Sequence, residues 1–403
     1  MIPHNMRKLL ILLLFFSFSF SFGQKVIYKK YESNDIRDIR DVKIYLPKSY
    51  DKDSISNFPL TIVLEEERLF DLYVGVSSFY ATQDHAPEQI IVGVNLESSR
   101  GKDMGYDLAN SKLNADARRF YTFLRDELIP FVEANYKTSP FLTIVGEGLS
   151  ANFITYFLNE NDPLFNAFIS LNPTYAPDIR TLVQNYRLEK MAPMDNSFYF
   201  YMAGNPFAGG EKLKRIQEFG KFMKSTEIEN FSVTFDELSS SKSASSSIGE
   251  GMSRAFAHVF KDYLGITDEE FEKEIKDLDP PNAISYLEIK YLDIEYLFGS
   301  NIGVRKIDAE RIEDIVMEKE EGAYFKAFAD MILKVHPSSS LGNYYLGSYY
   351  ESAKNFTAAL DQYKKGYEKM DPEDPEAIIF YKDNVERLID MKGGTDETEP
   401  EKN

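Results

Sequence analysis

The fold of the chain is indicated by one stretch, Leu142-Thr143-Ile144-Val145-Gly146-Glu147-Gly148-Leu149-Ser150-Ala151. Its first four residues are mostly apolar, as in a strand that is buried on both faces of a sheet. Two glycines then permit a tight turn, and the residues from 150 to 159 have helical spacing. The stretch therefore predicts a buried strand that passes through a sharp turn directly into a helix.

The same alternation of strand and helix extends on both sides of this stretch. Short, mostly apolar runs predict strands at Val42–Leu46, Leu60–Leu64, Ile90–Asn95, Leu142–Val145, Ala167–Leu171, Phe198–Met202 and Ser232–Phe235. Helical spacing predicts helices at Ala115–Tyr136, Ser150–Asn159, Glu211–Lys224 and Glu250–Tyr263. Such alternation predicts an α/β fold, in which a mostly parallel sheet is covered by helices.

The composition excludes several kinds of function. The chain has 403 residues and no cysteine, so disulfides, thiolate metal sites and cysteine nucleophiles are impossible. Its 46 basic and 65 acidic residues give a net charge of −19, which disfavours binding to nucleic acid or to anionic lipid. Hydrophobic residues make up 43% of the chain, a proportion typical of a folded globular protein.

Residues 1–23 have the pattern of a signal peptide. Arg7 and Lys8 precede an apolar run from Leu9 to Phe22, which is short for a membrane span. Ser21 and Gly23 place small residues before a cleavage site at Gln24. No later segment reaches 18 apolar residues, so no transmembrane segment is expected in the mature chain. We therefore expect export to the periplasm or cell envelope, or secretion.

Several motifs of the first 264 residues occur in the order found in a known family. They are Val42–Tyr50, Phe58–Leu64, Pro87–Val94 with Arg100 and Asp103, Glu127–Glu133 with Tyr136, and Phe165–Pro173. Together they resemble the esterase D and enterochelin-esterase-like family of α/β-hydrolases. The resemblance implies an α/β-hydrolase fold over residues 24–267 and a serine nucleophile at the glycine-rich turn.

The residues that would carry this chemistry are absent. Where the family has Gly-His-Ser-x-Gly-Gly, this chain has Gly146-Glu147-Gly148-Leu149-Ser150-Ala151, so the nucleophile position is Gly148. Ser150 lies two residues further on, where it is expected to cap the helix, with a displaced nucleophile as the alternative. The vacated turn consists of Glu147, Gly148 and Leu149, and no catalytic residue is predicted.

The positions of the base and the acid are vacant too. The family places a histidine after the last strand, but here that region is a serine-rich loop, residues 239–247, without histidine. His258 follows inside a predicted helix, where we expect a packed or surface role. The acid position falls near Asn205-Pro206-Phe207, which contains no carboxylate.

Acidic residues surround the turn. Glu65, Glu66 and Glu67 are expected to form the loop after the Leu60–Leu64 strand, and Glu147 flanks Gly148. Carboxylates in this place would disfavour an anionic intermediate of acyl transfer. No sequence of the kind that binds calcium is present, so we expect a solvated acidic rim and binding candidates, with no metal and no cofactor.

Residues 268–392 have a different character, with predicted helices and no convincing strand. Leu346-Gly347, Tyr350, Phe356, Ala359, Tyr363 and Gly366 resemble one tetratricopeptide repeat. A generic helical hairpin is the alternative. Tyr345 and Tyr349 share one face of a helix at i, i+4 spacing, which makes them candidates for binding a partner. Residues 393–403 are expected to be a disordered tail.

Three functions are compatible with these observations. The first is a non-catalytic binding or assembly module of the bacterial cell envelope, with another envelope protein as partner through the helical region. The second is a weak or altered carboxylic-ester hydrolase that uses Ser150 or a serine of residues 239–247. The third is a receptor for a sugar or peptide, which keeps the cleft and has lost the chemistry.

Overall fold

The computed structural model describes residues 25–51, 56–300, 302–318, 323–372 and 374–396. The predicted signal peptide, residues 1–23, lies outside the described residues. The described chain forms two units. The first contains residues 25–82, 88–138 and 142–258, and the second contains residues 259–396 together with the short segments 83–87 and 139–141. The main boundary between the two units lies between residues 258 and 259.

The first unit is built on one eight-stranded sheet. Its strands are β1 (Lys25–Ser33), β2 (Asp38–Leu46), β3 (Phe58–Leu64), β4 (Ile90–Val94), β5 (Thr138–Glu147), β6 (Ala167–Leu171), β7 (Phe198–Ala203) and β8 (Phe231–Asp236). Their order across the sheet is β1-β2-β4-β3-β5-β6-β7-β8. Strands β3 to β8 run parallel to one another, whereas β2 is antiparallel to both of its neighbours, β1 and β4. The predicted mostly parallel sheet is confirmed.

Helices connect these strands. They are α1 (Glu66–Thr82), α2 (Arg100–Asp103), α3 (Ala115–Thr122), α4 (Ile129–Asn135), α5 (Leu149–Phe153), α6 (Ile179–Gln184), α7 (Gly210–Lys224) and α8 (Ala244–Val259). A π-helical turn, Phe123–Leu128, joins α3 to α4, and a 3₁₀ helix, Ile154–Asn159, continues α5. The central strands β3, β4, β6 and β7 are buried along their whole length. The sequences of these strands are almost continuously apolar because both faces of the sheet are covered.

The structure adds elements that the sequence analysis did not predict. The edge strand β1 pairs with β2, and its exposed residues interrupt the apolar pattern of a buried strand. Helix α1 begins directly after Glu65, so Glu66 and Glu67 are the first helical residues and do not form a loop. Helix α8 begins at Ala244, inside the serine-rich segment. The buried residues of α1 are spaced as on one face of a helix: Glu66, Leu69, Phe70, Tyr73, Val74 and Ser77.

From residue 259 onwards, all regular structure in the described chain is helical, so the helical C-terminal region is confirmed. Its helices are α9 (Asp268–Glu270), α10 (Pro280–Phe298), α11 (Lys306–Glu318), α12 (Phe325–Val335), α13 (Ser340–Ser352), α14 (Phe356–Lys369) and α15 (Pro375–Asp396). Of the described residues after 267, none is in a strand. Helix α15 extends to Asp396, beyond the predicted start of the tail at residue 393, and residues 397–403 lie outside the described chain.

Helices α13 and α14 form the hairpin in which the repeat-like pattern lies. A β-carbon on Gly347 would come within 2.4 Å of the ring of Tyr363, and one on Gly366 within 2.6 Å of the ring of Tyr381. Ala359 is fully buried. The small residues of the pattern therefore lie where aromatic rings of a neighbouring helix approach closely, as the packing of a helical repeat requires.

Candidate functional site

The glycine-rich turn between β5 and α5 has the geometry of a nucleophile elbow. Gly148, at its tip, has a φ of 62° and a ψ of −113°. Its N–H donates to the carbonyl of Leu171 at 3.1 Å, and its carbonyl accepts from the N–H of Thr174 at 2.8 Å. A β-carbon on Gly148 would meet only Thr174 Oγ1, at 3.9 Å. There is space for a side chain at this position, but the sequence supplies none.

Gly146 allows the turn to close. A β-carbon on Gly146 would lie 2.6 Å from the carbonyl carbon of Ser150 and 2.8 Å from the N–H nitrogen of Ala151. Both are backbone atoms, which cannot move aside without opening the turn. The glycine two residues before the tip is therefore required by the close approach of strand and helix, as in the Gly-x-Ser-x-Gly turn of hydrolases.

Ser150 lies in the first turn of α5 and is fully buried. Its Oγ accepts from the N–H of Glu147 at 2.8 Å. Its one proton can be donated to Glu65 Oε1, at 3.0 Å, or to the carbonyl of Glu147, at 2.9 Å. The predicted capping role of Ser150 is wrong, because Gly148 is the N-cap of α5 and no side chain caps this helix. Ser150 instead links the turn to Glu65, the residue after β3. A hydroxyl without solvent exposure is poorly placed to attack an external ester.

Glu65 is the residue between β3 and α1, and it is 1% exposed. It adopts a φ of 62°, a backbone conformation that few residues other than glycine take. Burial raises the pKa of its carboxyl from 4.5 to about 7, against the opposing effects of Arg100 and of the hydrogen bond from Ser150. In α/β-hydrolases this loop contributes an N–H group to the oxyanion hole. In this chain, the residue at that place is Glu65, whose carboxylate is buried.

Two arginines neutralise the carboxylates beside the elbow. Arg100 Nη2 lies 2.7 Å from Glu65 Oε2 and 2.9 Å from Glu67 Oε1. Arg68 Nη2 lies 2.8 Å from Glu147 Oε2. Burial raises the pKa of Glu147 above its usual range, and Arg68 opposes the shift. These contacts form a network of alternating charges, so the site has little free negative charge.

The expected solvated acidic rim is wrong for most of these residues. Glu66 is buried; Lys43 pairs with its carboxylate, and Asn95 Nδ2 donates to Glu66 Oε2 at 2.9 Å. Glu67 Oε2 accepts from the N–H of Leu96 at 3.2 Å. The carboxylates turn inward because basic and amide groups of the neighbouring elements lie within reach. Leu149, beside them, packs its partly buried side chain on the main core.

The part of the first unit that follows β8 contains one histidine, His258. His258 lies in α8, with Nδ1 3.1 Å from Thr234 Oγ1 and Nε2 3.1 Å from the carbonyl of Ser232. Both partners belong to β8, so the histidine fastens α8 to the sheet. Asp236, at the end of β8, accepts from the hydroxyl of Tyr201 at 2.9 Å. No cluster of three or more potential metal ligands occurs among the residues that the structure describes.

The two tyrosines predicted to bind a partner differ in burial. Tyr345 is 1% exposed, its ring centroid lies 4.6 Å from that of Phe328, and its hydroxyl donates to Glu313 at 3.3 Å. Its assignment to a binding surface is wrong, because α13 turns this face towards α12. Tyr349 is half-buried and packs at the margin of the same cluster.

Sequence reasoning missed the roles of Arg68 and Arg100. Arg68 is three residues after Glu65, which would have suggested an ion pair had α1 been predicted. Arg100 belongs to the motif that starts at Pro87, but it is far from Glu65 in sequence. Nothing in the sequence therefore indicated that its guanidinium contacts the Glu65 carboxylate.

Comparisons with known proteins agree with this geometry. Residues 33–215 match the family described as putative esterase. No match was found among curated proteins. Within the described part of the chain, no helix has the length and apolar character needed to cross a bilayer.

Three solved structures share the fold. An uncharacterised protein from Capnocytophaga ochracea is 21% identical, with a TM-score of 0.71, and the alignment covers 91% of this chain and 100% of that one. An IroE-like serine hydrolase from Shewanella oneidensis is 19% identical, with a TM-score of 0.56 and coverage of 77% and 98%. The BES protein from Bacillus cereus is 16% identical, with a TM-score of 0.51 and coverage of 58% and 94%. With its eight-stranded sheet and its strand–turn–helix elbow, the N-terminal part of this chain has an esterase-like α/β-hydrolase fold.

Proposed function

We propose that this protein is an exported, non-catalytic member of the esterase-like α/β-hydrolases. In this proposal it acts as a binding or assembly module of the bacterial cell envelope. The esterase-like unit provides a folded body, and the helical unit provides the surface that another envelope protein recognises. The signal-peptide pattern of residues 1–23 supports export.

One observation carries the loss of catalysis: the elbow keeps its geometry while Gly148 occupies its tip. Removal of the serine or the histidine from a serine-hydrolase triad lowers kcat about a millionfold. Here the nucleophile position has no side chain, and the only histidine beyond β8 in the first unit, His258, has both ring nitrogens in contact with β8.

The electrostatics beside the elbow support the same conclusion. Acyl transfer requires hydrogen-bond donors that are free to stabilise a developing oxyanion. Arg68 and Arg100 are the cations nearest to Glu65 and Glu147, and both are already paired with carboxylates. A further negative charge at this place would have to compete with carboxylates that are fixed by the fold.

The surface of the helical unit supports a role in assembly. Ile289, Leu292 and Tyr296 are 58%, 45% and 61% exposed and lie three and four residues apart along α10. This spacing places them on one face of the helix. Exposed apolar side chains that form a contiguous stripe are typical of a protein–protein contact. We assign this stripe to the partner-binding surface, in place of Tyr345.

Hydrolysis of p-nitrophenyl acetate by the purified full chain tests the absence of catalysis. We expect the wild type, Ser150→Ala and Gly148→Ser to release p-nitrophenol at the same low rate. Gly148→Ser restores the family's nucleophile in a position with room for it, but no histidine is available to activate it.

Labelling with a fluorophosphonate probe gives an independent reading. We expect no stable labelling of the wild type. Labelling that disappears in Ser150→Ala would show that Ser150 is a working nucleophile, and the proposal of a non-catalytic protein would be wrong. A circular dichroism spectrum of each variant confirms that it is folded before rates are compared.

A further inference from the structure

An open cleft of about 630 Å³ lies in the esterase-like unit. Its walls come from the loop before α3, from α3 and the π-helical turn, from the end of the 3₁₀ helix after α5, and from α6. The lining residues are Lys112, Leu113, Arg118, Tyr121, Thr122, Arg125, Tyr156, Asn159, Glu160, Asn161, Leu182 and Tyr186. None of the elbow residues Glu65, Glu147, Gly148 or Ser150 is among them, so this cleft is a separate feature of the unit.

The cleft concentrates positive charge in a strongly acidic protein. Lys112, Arg118 and Arg125 face one carboxylate, Glu160, in a chain with a net charge of −19. Arg118 Nη1 donates to the carbonyl of Leu113 at 2.6 Å. Neither Lys112 nor Arg118 forms an ion pair with any carboxylate that the structure describes. Two cations of the cleft are therefore available to an external anion.

The one carboxylate of the cleft is already engaged. The hydroxyl of Tyr121 donates to Glu160, and Arg125 Nη1 lies 3.6 Å from the same carboxylate. The ring of Tyr121 stacks on Phe157, with centroids 4.1 Å apart and an interplanar angle of 17°. This wall is thus held in place by contacts within the protein and does not require a ligand to order it.

Neutral hydrogen-bonding groups complete the cleft. The hydroxyl of Tyr186 and the amides of Asn159 and Asn161 make no side-chain hydrogen bond to any described residue. Amides and hydroxyls donate and accept, so they can bind the hydroxyl groups of a sugar, whereas lysine and arginine only donate. A volume of about 630 Å³ lies within the usual range for small-molecule sites, about 300–1,000 Å³.

We propose that this cleft binds a sugar that carries a negatively charged group, a carboxylate or a phosphate. Lys112 and Arg118 bind the charged group, and Asn159, Asn161 and Tyr186 bind the ring hydroxyls. A neutral sugar would leave the two cations without a counter-charge, and a wholly apolar ligand would leave the amides unbonded, which is costly in a desolvated site. The proposal concerns the esterase-like unit and does not depend on whether the elbow is catalytic.

Isothermal titration calorimetry on the full chain tests this assignment, with glucuronate, glucose 6-phosphate and glucose as the three probes. We expect at least one of the two anions to bind and glucose to bind far more weakly. Comparison of glucuronate with glucose 6-phosphate distinguishes a carboxylated from a phosphorylated ligand. Because the cations are exposed, the affinity is expected to fall as salt is added.

Variants identify the residues that bind. Arg118→Gln and Lys112→Gln should each weaken the binding of the anion about tenfold, the loss expected for one charge-assisted hydrogen bond. Arg119→Gln is the matched control: Arg119 is the next residue of the same helix, pairs with Asp116 and does not line the cleft. All three positions are exposed, so the variants should melt as the wild type does.

Three results would overturn the proposal. They are the absence of binding of both anions, equal binding of glucose and the anions, and an equal loss of affinity in Arg119→Gln and Arg118→Gln. The last result would mean that the anion is attracted by the positive charge of the surface as a whole and not by the residues of the cleft. None of these results bears on ester hydrolysis, so the two proposals can fail separately.

Discussion

Glu65 should make the stability of the protein depend on pH in a way that a single substitution removes. Its carboxyl is 1% exposed, and burial raises its pKa from 4.5 to about 7. A group whose pKa is higher in the folded chain binds its proton more tightly there. The proton therefore stabilises the fold at low pH, and this contribution is lost as the pH rises through about 7.

The size of the effect follows from the two pKa values. At about pH 5.5 the protonated carboxyl contributes about 2 kcal/mol to the free energy of unfolding, and by about pH 8.5 this contribution has disappeared. In Glu65→Gln the side chain is neutral at every pH. Between these two pH values, the free energy of unfolding of the variant should therefore rise by about 2 kcal/mol relative to that of the wild type.

Urea unfolding of the full chain, followed by circular dichroism across this pH range, measures the difference. Comparing the two proteins at each pH cancels all other titrating groups, provided that they are unaffected by the substitution. Glu147, Arg68 and Arg100 are the charged groups that act on Glu65, so their contribution is contained in the raised pKa. A difference between variant and wild type that stays constant with pH would refute the reasoning.

Ser150→Ala provides a second test of the same network. The hydrogen bond from Ser150 lowers the pKa of Glu65 against the effect of burial. Its removal should raise that pKa further and move the pH-dependent loss of stability to higher pH. If the loss moves to lower pH, the hydroxyl does not donate to Glu65 in the folded protein.

Two predictions concern the helical unit and its surface. Tyr345→Ala should lower the free energy of unfolding by about 3–5 kcal/mol, as expected for a buried ring, and Tyr349→Ala by less than about 1 kcal/mol; equal effects in thermal unfolding would contradict the observed packing. Leu292→Glu should weaken crosslinking to an envelope partner in intact cells about tenfold. Phe79→Glu is the control, because Phe79 is an exposed side chain of the first unit, and it should leave crosslinking unchanged. Equal crosslinking in the two variants would exclude the stripe on α10 as the partner-binding surface.

The central sheet was predictable because its strands are buried on both faces. The segments Leu60–Leu64 and Ala167–Leu171 are apolar at almost every position, and such runs indicate strands without knowledge of the fold. Strand β1 was not predictable in this way, since it lies at the edge and carries exposed charged residues. Helix α1 does have a periodic apolar face, but the run of three glutamates, Glu65 and the first two residues of the helix, suggested a loop.

The presence of Gly148 at the tip of the turn was predictable, but the burial of the charges around it was not. Which residue occupies the tip of the turn is a matter of sequence alone, and Gly148 can be identified without a structure. Whether Glu65 is solvated depends on Arg100, which approaches from a different element. In the same way, the spacing of Tyr345 and Tyr349 defines a helix face, but only the position of α12 shows that this face is interior.

The retained elbow has a physical explanation that does not involve catalysis. The turn is closed by the close approach at Gly146, by the hydrogen bond from the Glu147 N–H to Ser150 Oγ, and by the one from the Thr174 N–H to the Gly148 carbonyl. None of these contacts uses a side chain at position 148. A glycine also adopts the positive φ of the tip with less strain than a serine would. The fold can therefore keep the turn without a side chain at position 148, so the shape of the elbow alone is no evidence of hydrolysis by this chain.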